Sequence, residues 1–264
     1  MDHKKSNIIR DEARANNRKA GRRPGFRYVR RVNFLLIHGG GHGAWCWEPL
    51  IEELKRRRHR GFAVNLPGAE GNPAPPSRAD TKACLQCVDT FIRKVCPPRF
   101  TLVGHSIAGF WLPVVAKKYA SRIDETIFLA AAVLARGERG VDVIPLSRRG
   151  AYLAVTRKKE PCLLPRFPEA RRRFFNDLSL ARARTAFSRL RPQSLLPYLK
   201  TATIDPATLS GRIRYLLCLQ DATFKPALAR SFAARLNVVP EEIEGGHDVM
   251  LSRPRQLADH LLHL

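Results

Sequence analysis

At 264 residues, 44% of them apolar, the chain is long enough for a single core, and disorder is excluded for its bulk. No apolar run approaches the roughly 20 residues needed to cross a bilayer, so no membrane span is expected. The net charge of +24 is high, but charge governs association rather than fold or chemistry.

The basic residues cluster. Residues 1–31 hold 11 Lys/Arg against 3 Asp/Glu, and residues 136–200 hold 16 against 5. The plain reading is arginine-rich solvated faces. The alternative is an anionic partner, nucleic acid or another polyanion, contacted through the basic arm. The arm, residues 1–24, lacks apolar periodicity and is expected to be flexible. It has no apolar stretch of the kind a secretory leader carries, which favours a cytoplasmic protein.

The folded domain is expected over 25–264. Asn33–Ile37 is a short apolar run with a Gly-rich end, the pattern of a buried parallel strand. Residues 45–58 show helical spacing, 61–66 a second strand, and Pro67-Gly68 stops it. A Pro/Gly-rich loop leads to a helix over 79–95, which Pro97-Pro98 ends. A third strand, 100–103, is broken by Gly104, and a helix from 106 to 119 is expected to kink at Pro113. Residues 127–130 read as a fourth strand.

The alternation then stops. Residues from about 135 to 200, rich in Arg, Pro and Leu, read as an inserted helical cap with pieces near 147–157, 168–175, 179–189 and 192–200. Strand 213–219, helix 226–236, strand 237–243 and helix 254–262 resume the rhythm. The predicted class is α/β: a doubly wound, mostly parallel sheet with a cap.

The sharpest chemical signal is Leu102-Val-Gly-His-Ser-Ile-Ala-Gly109, a serine at a strand-to-helix turn flanked by small residues. Such a turn lifts the serine oxygen above the sheet edge. Large side chains at 104 or 108 would collide with the strand or helix. Read without its context, Ser106 is a helix-capping serine. The second signal, Ile37-His-Gly-Gly-Gly-His-Gly-Ala-Trp45, offers bare N–H groups after the first strand. Gly40 and Ile107 are the expected oxyanion donors. A phosphate cradle is the rival reading, but the loop lacks a G-K-[ST] ending. His38 and His42 are expected to fix the loop.

A serine nucleophile needs a base, and the base an orienting acid. Glu244-Gly-Gly-His-Asp248 places His247 on a glycine loop past a strand, and Asp221 ends the strand before it. The order Ser106, Asp221, His247 is that of an α/β-hydrolase triad. Asp248 adjoins His247 and is a poor geometric partner for it. The six cysteines follow no disulfide-scaffold spacing. Cys84 and Cys87 form one C-x-x-C on a helix, read as reduced thiols. No cluster has metal-ligand spacing, so neither metal nor cofactor is expected.

His38-Gly-Gly-Gly-His-Gly-Ala-Trp-Cys-Trp47 resembles the H-G-x-x-H-G-x-W-x-W signature of small α/β-hydrolases related to plant methyl esterases, hydroxynitrile lyases and EstC-like bacterial esterases. Similar too are the Gly-His-Ser turn, Phe174-Phe-Asn-Asp177, Arg189-Leu-Arg-Pro192 and Gly246-His-Asp-Val-Met-Leu-Ser-Arg-Pro254. The resemblance runs from about Asn33 to Leu264. It implies a Ser-Asp-His triad, no metal, and a largely apolar pocket beneath the cap. Ala108 and Asn65 depart from that pattern, standing where the family usually has Gly and Asp. Lyase members resemble one another in carrying Thr at the position of Gly39 and Lys at that of Asp248, which directs this chain to the esterase branch. The expected function is a serine hydrolase that cleaves a small carboxylic ester, methyl or aryl, through an acyl-enzyme. A lyase on the same fold and a non-catalytic receptor are the alternatives.

Overall fold

A computed structural model describes residues 31–264; the basic arm expected at 1–24 lies outside the described residues. The central sheet has six strands, all parallel. They are β1 (Asn33–Ile37), β2 (Arg60–Val64), β3 (Phe100–His105), β4 (Ile123–Leu129), β7 (Arg212–Cys218) and β8 (Glu241–Ile243), in the order β2-β1-β3-β4-β7-β8. Two short strands, β5 (Cys162–Leu163) and β6 (Gln193–Ser194), pair antiparallel outside the sheet.

Strand side chains alternate between the two faces, as a period of two requires. Phe34, Leu36, Val103, Ile127, Leu129 and Leu216 join one apolar cluster. Leu35, Ile37, Leu102, Phe128, Tyr215 and Leu217 join the other. The first cluster is covered by α1 (Glu48–Arg56) and α9 (Pro254–Leu262), through residues such as Leu50, Leu54, Leu257 and Leu261. The second is covered by α2 (Thr81–Lys94), α3 (Leu112–Lys118) and α7 (Pro226–Ala234), through Val88, Ile92, Leu112, Val115 and Phe232. Capping sets several starts: Asp80 accepts the Ala83 N–H at 2.7 Å at the head of α2. α1 carries Glu48 in its first turn and Lys55 and Arg56 in its last, matching its dipole.

Between β4 and β7 lie α4 (Leu146–Thr156), α5 (Phe167–Arg173) and α6 (Leu180–Ser188). The expected helical piece at 192–200 is instead β6 followed by a 3₁₀ turn, Leu196–Leu199. Three other expectations shift. Residues 106–110 form a 3₁₀ turn, and Pro113 sits in the first turn of α3 rather than kinking a longer helix. There its missing N–H needs no partner. β8 is confined to 241–243, because Asn237 is left-handed at φ 55° and Pro240 precedes the strand. β4 begins four residues earlier than expected, at Ile123. α8 (Val249–Ser252) is a single turn before α9.

The strand order reverses at β1 and β3, which pair side by side with Ile37 opposite Gly104. A crevice opens beyond the carboxyl ends at such a switch point. It is bordered by the glycine loop after β1 and the serine turn after β3.

Candidate active site

Ser106 begins the turn after β3 at φ 57°, a left-handed conformation rare for a side chain other than glycine. Its carbonyl accepts the Ala132 N–H at 3.0 Å, tying the turn to the residues after β4. A Cβ at Gly104 would lie 2.7 Å from three side-chain atoms of Leu112, so a larger residue there would displace that leucine. The second tight position is Gly109, where a Cβ would fall 2.1 Å from the Ala132 carbonyl oxygen. Ala108 is fully buried, so its methyl is accommodated where the turn pattern usually has glycine.

The three residues expected to act together form one line. The Ser106 Oγ lies 2.9 Å from His247 Nε2, and His247 Nδ1 lies 2.8 Å from Asp221 Oδ2. Asp221 Oδ1 accepts the N–H groups of Thr223 at 2.6 Å and Phe224 at 2.9 Å, so both oxygens are held. All three side chains are buried. The His247 ring lies among aromatic neighbours, with the Phe224 centroid at 5.6 Å and the Phe174 centroid at 5.8 Å.

The loops bearing the aspartate and histidine are clamped from the segment after α5. Asn176 Nδ2 donates to the Gln220 carbonyl at 2.8 Å, beside Asp221. Asp177 Oδ2 accepts the Gly246 N–H at 2.7 Å, beside His247. A Cβ at Gly246 would lie 2.3 Å from Asn176 Oδ1, so the clamp needs glycine there. The sequence marks Phe174-Phe-Asn-Asp177 as a motif but gives no sign of this job. Nor does the sequence mark the role of His105: its Nε2 donates to the His247 carbonyl at 3.0 Å, so the residue before the serine steadies the histidine. Burial, then the neighbouring His247, hold the His105 imidazole well below its ordinary pKa.

The glycine loop after β1 is fixed by its two histidines. His38 Nδ1 donates to the Gly39 carbonyl at 2.8 Å, and its Nε2 accepts the Leu66 N–H at 3.1 Å. Burial lowers its pKa to about 4, so it is neutral near pH 7. His42 faces acceptors with both nitrogens, Gly40 O at 2.8 Å and Asp248 Oδ2 at 2.7 Å. Burial works against its charge, but Asp248 outweighs burial and raises its pKa. The Asp248 carboxyl is held below its ordinary range because His42 overcomes the cost of burial. Asp248 is therefore paired away from the His247 ring.

Asn65 uses its Oδ1 to accept the Ala44 N–H at 2.6 Å, a task that needs only the oxygen an aspartate shares. The Gly41 N–H donates to Gln193 Oε1 at 2.9 Å, and the Arg191 N–H donates to the Gly41 carbonyl at 2.8 Å. Gly40 and Ile107, the expected oxyanion donors, both line the cavity that contains Ser106 and His247.

That cavity has a volume of about 70 Å³, with Phe110, Leu163, Leu195 and Phe224 among its walls. A larger open groove of about 710 Å³, between α2 and α3, contains none of the three aligned residues. Among the described residues one group has donor atoms close enough for a metal ion: His105, His247 and Asp248. Both His247 nitrogens, His105 Nε2 and Asp248 Oδ2 are hydrogen-bonded, to Ser106 and Asp221, to the His247 carbonyl and to His42, whereas His105 Nδ1 and Asp248 Oδ1 have no hydrogen-bond partner. All six cysteines are unpaired, Cys84 and Cys87 included.

Fold and site together define a hydrolase of the α/β class. The chain belongs to the alpha/beta hydrolase family, whose model matches residues 34–260. It is similar to a probable esterase of Oryza sativa (PIR7A), 26% identical, with 88% of this chain and 96% of that one aligned. It is also similar to Methylesterase 18 of Arabidopsis thaliana, 25% identical over 87% and 95% of the two chains. Among solved structures, an extracellular alpha/beta-hydrolase from a Paenibacillus species superposes with a TM-score of 0.79 at 20% identity, covering 88% of this chain and 98% of that one. No helix among the described residues is long and apolar enough to cross a membrane.

Proposed function

We propose that this protein is a serine esterase that hydrolyses a small carboxylic ester, methyl or aryl, through an acyl-enzyme. The observation that carries the reading is the unbroken line from Asp221 through His247 to Ser106. His247 takes the Ser106 proton as Oγ bonds to the ester carbonyl carbon. The N–H groups of Gly40 and Ile107 receive the oxyanion. The carbon–oxygen bond to the alcohol then breaks, and protonated His247 returns its proton to the departing alkoxide. Water, deprotonated by His247, attacks the acyl carbon; the bond to Oγ breaks, His247 returns its proton to Oγ, and the acid leaves. Asp221 holds the imidazole in the tautomer that presents Nε2 to the serine and stabilises the imidazolium. Its esterase and methylesterase relatives support the same chemistry.

Gly39 favours hydrolysis over cyanohydrin cleavage. A Cβ there would lie 2.8 Å from Ser106 Cβ, leaving no room for a hydroxyl-bearing side chain in this geometry. The six unpaired thiols support a reducing, cytoplasmic setting. The deciding experiment is a panel of p-nitrophenyl acetate, aryl methyl esters and mandelonitrile, with Ser106→Ala as control. Ester turnover that depends on Ser106, without cyanide release above background, is expected. Ser106-dependent cyanide release faster than ester hydrolysis would overturn the reading.

A further inference from the structure

The active-site cavity holds a charge that acyl transfer does not use. Arg173, the last residue of α5, lines it together with Tyr152, Tyr198 and Phe224. Its side chain is only 14% exposed. The guanidinium carbon lies 5.0 Å from the Phe174 ring centroid, and the Tyr152 and Tyr198 phenols are within interaction range. The Arg173 carbonyl accepts Thr223 Oγ1 at 3.0 Å, which fixes this residue to the loop that follows Asp221.

A cation at a helix C-terminus is also a structural device, and Arg173 does pair with Glu169 one turn earlier, Nη1 to Oε1 at 3.2 Å. That pairing does not account for its place in the cavity. Glu169 is 40% exposed, does not line the cavity, and is shared with Arg148 at 3.7 Å. A guanidinium has five N–H donors; Glu169 accepts a hydrogen bond from Nη1 and the Tyr152 phenol is a second hydrogen-bond partner, which leaves donors over. Among the described residues no Asp or Glu lines the cavity. The other basic side chains at its wall are engaged: His42 by Asp248, His247 by Asp221 and Ser106, and Arg191 by Glu70 and the Ser188 and Leu190 carbonyls. A largely buried guanidinium with spare donors in an apolar chamber favours a planar anion that takes two of them.

We propose that Arg173 is a specificity-determining residue and that the preferred substrates are esters carrying a free carboxylate, half-esters of small dicarboxylic acids. The inference rests on the esterase reading above and names the substrate class of the same site. The carboxylate docks on the guanidinium while the ester carbonyl meets Ser106. Hydrolysis releases the alcohol and a dicarboxylate.

The test compares monomethyl esters of succinate, glutarate and adipate with the corresponding dimethyl esters, for the wild type, Arg173→Met and Arg173→Lys. For at least one chain length, wild-type kcat/KM for the half-ester should exceed that for the diester by about tenfold or more, as a charge-assisted contact implies. Arg173→Met should abolish this preference, chiefly through KM, and Arg173→Lys should retain part of it. Melting curves report whether each variant is folded. A second arm measures calorimetric binding of monomethyl glutarate to Ser106→Ala and to Ser106→Ala/Arg173→Met, and expects binding to be lost in the double variant. Equal turnover of half-ester and diester, unchanged in Arg173→Met, would overturn this proposal and leave the esterase intact. Arg173-dependent binding without Ser106-dependent turnover of either ester would overturn the esterase reading and leave Arg173 as the carboxylate site. Neither binding nor turnover would remove both.

Discussion

At the scale of single residues, the aligned Asp221, His247 and Ser106 make sharp kinetic demands. Ser106→Ala and His247→Ala should each lower ester hydrolysis by several orders of magnitude, and the double variant should be little worse than either, because such groups act as one unit. Steady-state rates that add on a logarithmic scale would show the two to be independent. Asp221→Asn should stay folded and lose about 10⁴-fold in kcat by presenting the wrong imidazole tautomer; wild-type turnover would move the orienting acid elsewhere. These three positions were legible in the sequence because each follows a strand within a short recognisable pattern. Gly109, His105, Asn176 and Asp177 were not legible in their roles. Each acts through a neighbour remote along the chain: the Ala132 carbonyl, the His247 carbonyl, Gln220 and Gly246. Local pattern says nothing about such contacts.

At the scale of elements, the alternation of strands and helices was readable because a parallel strand buried on both faces is a near-continuous apolar run. The stretch at 192–200 reads as helix because Leu195, Leu196 and Leu199 mimic helical spacing, whereas the partner that makes it a strand, Cys162–Leu163, is about thirty residues away. This strand bears on the site. From β6, Gln193 holds the Gly41 N–H, immediately beside the expected oxyanion donor Gly40. Gln193→Ala should loosen the loop and lower kcat about tenfold, the cost of one neutral hydrogen bond, with little change in melting temperature. Unchanged kcat with a large drop in melting temperature would make the contact purely structural.

At the scale of the whole molecule, buried histidines set the pH dependence of stability, and they pull in opposite directions. His38, with its pKa lowered to about 4, contributes stability that is complete above the unfolded value of 6.5 and is lost as pH falls toward 4. A shift of that size corresponds to roughly 3 kcal/mol, and His105 acts in the same sense. His42, whose pKa is raised, contributes stability that is complete below 6.5 and is lost as pH rises through its folded value. Calorimetric melting temperature should therefore peak near neutrality and fall steadily from pH 6.5 to 4, and His38→Asn should flatten the acid limb. An acid limb that begins only below pH 4 would assign it to carboxylates instead. The left-handed backbone at Ser106 carries a consequence of another kind. A side chain in that conformation costs about 1–2 kcal/mol, which glycine escapes at the expense of a looser unfolded chain. Ser106→Gly should thus melt about 2 °C above Ser106→Ala although both are inert, as scanning calorimetry can read. The fold and its reaction compete at this position, so selection for stability alone would move the chain toward a sturdier molecule that no longer turns over.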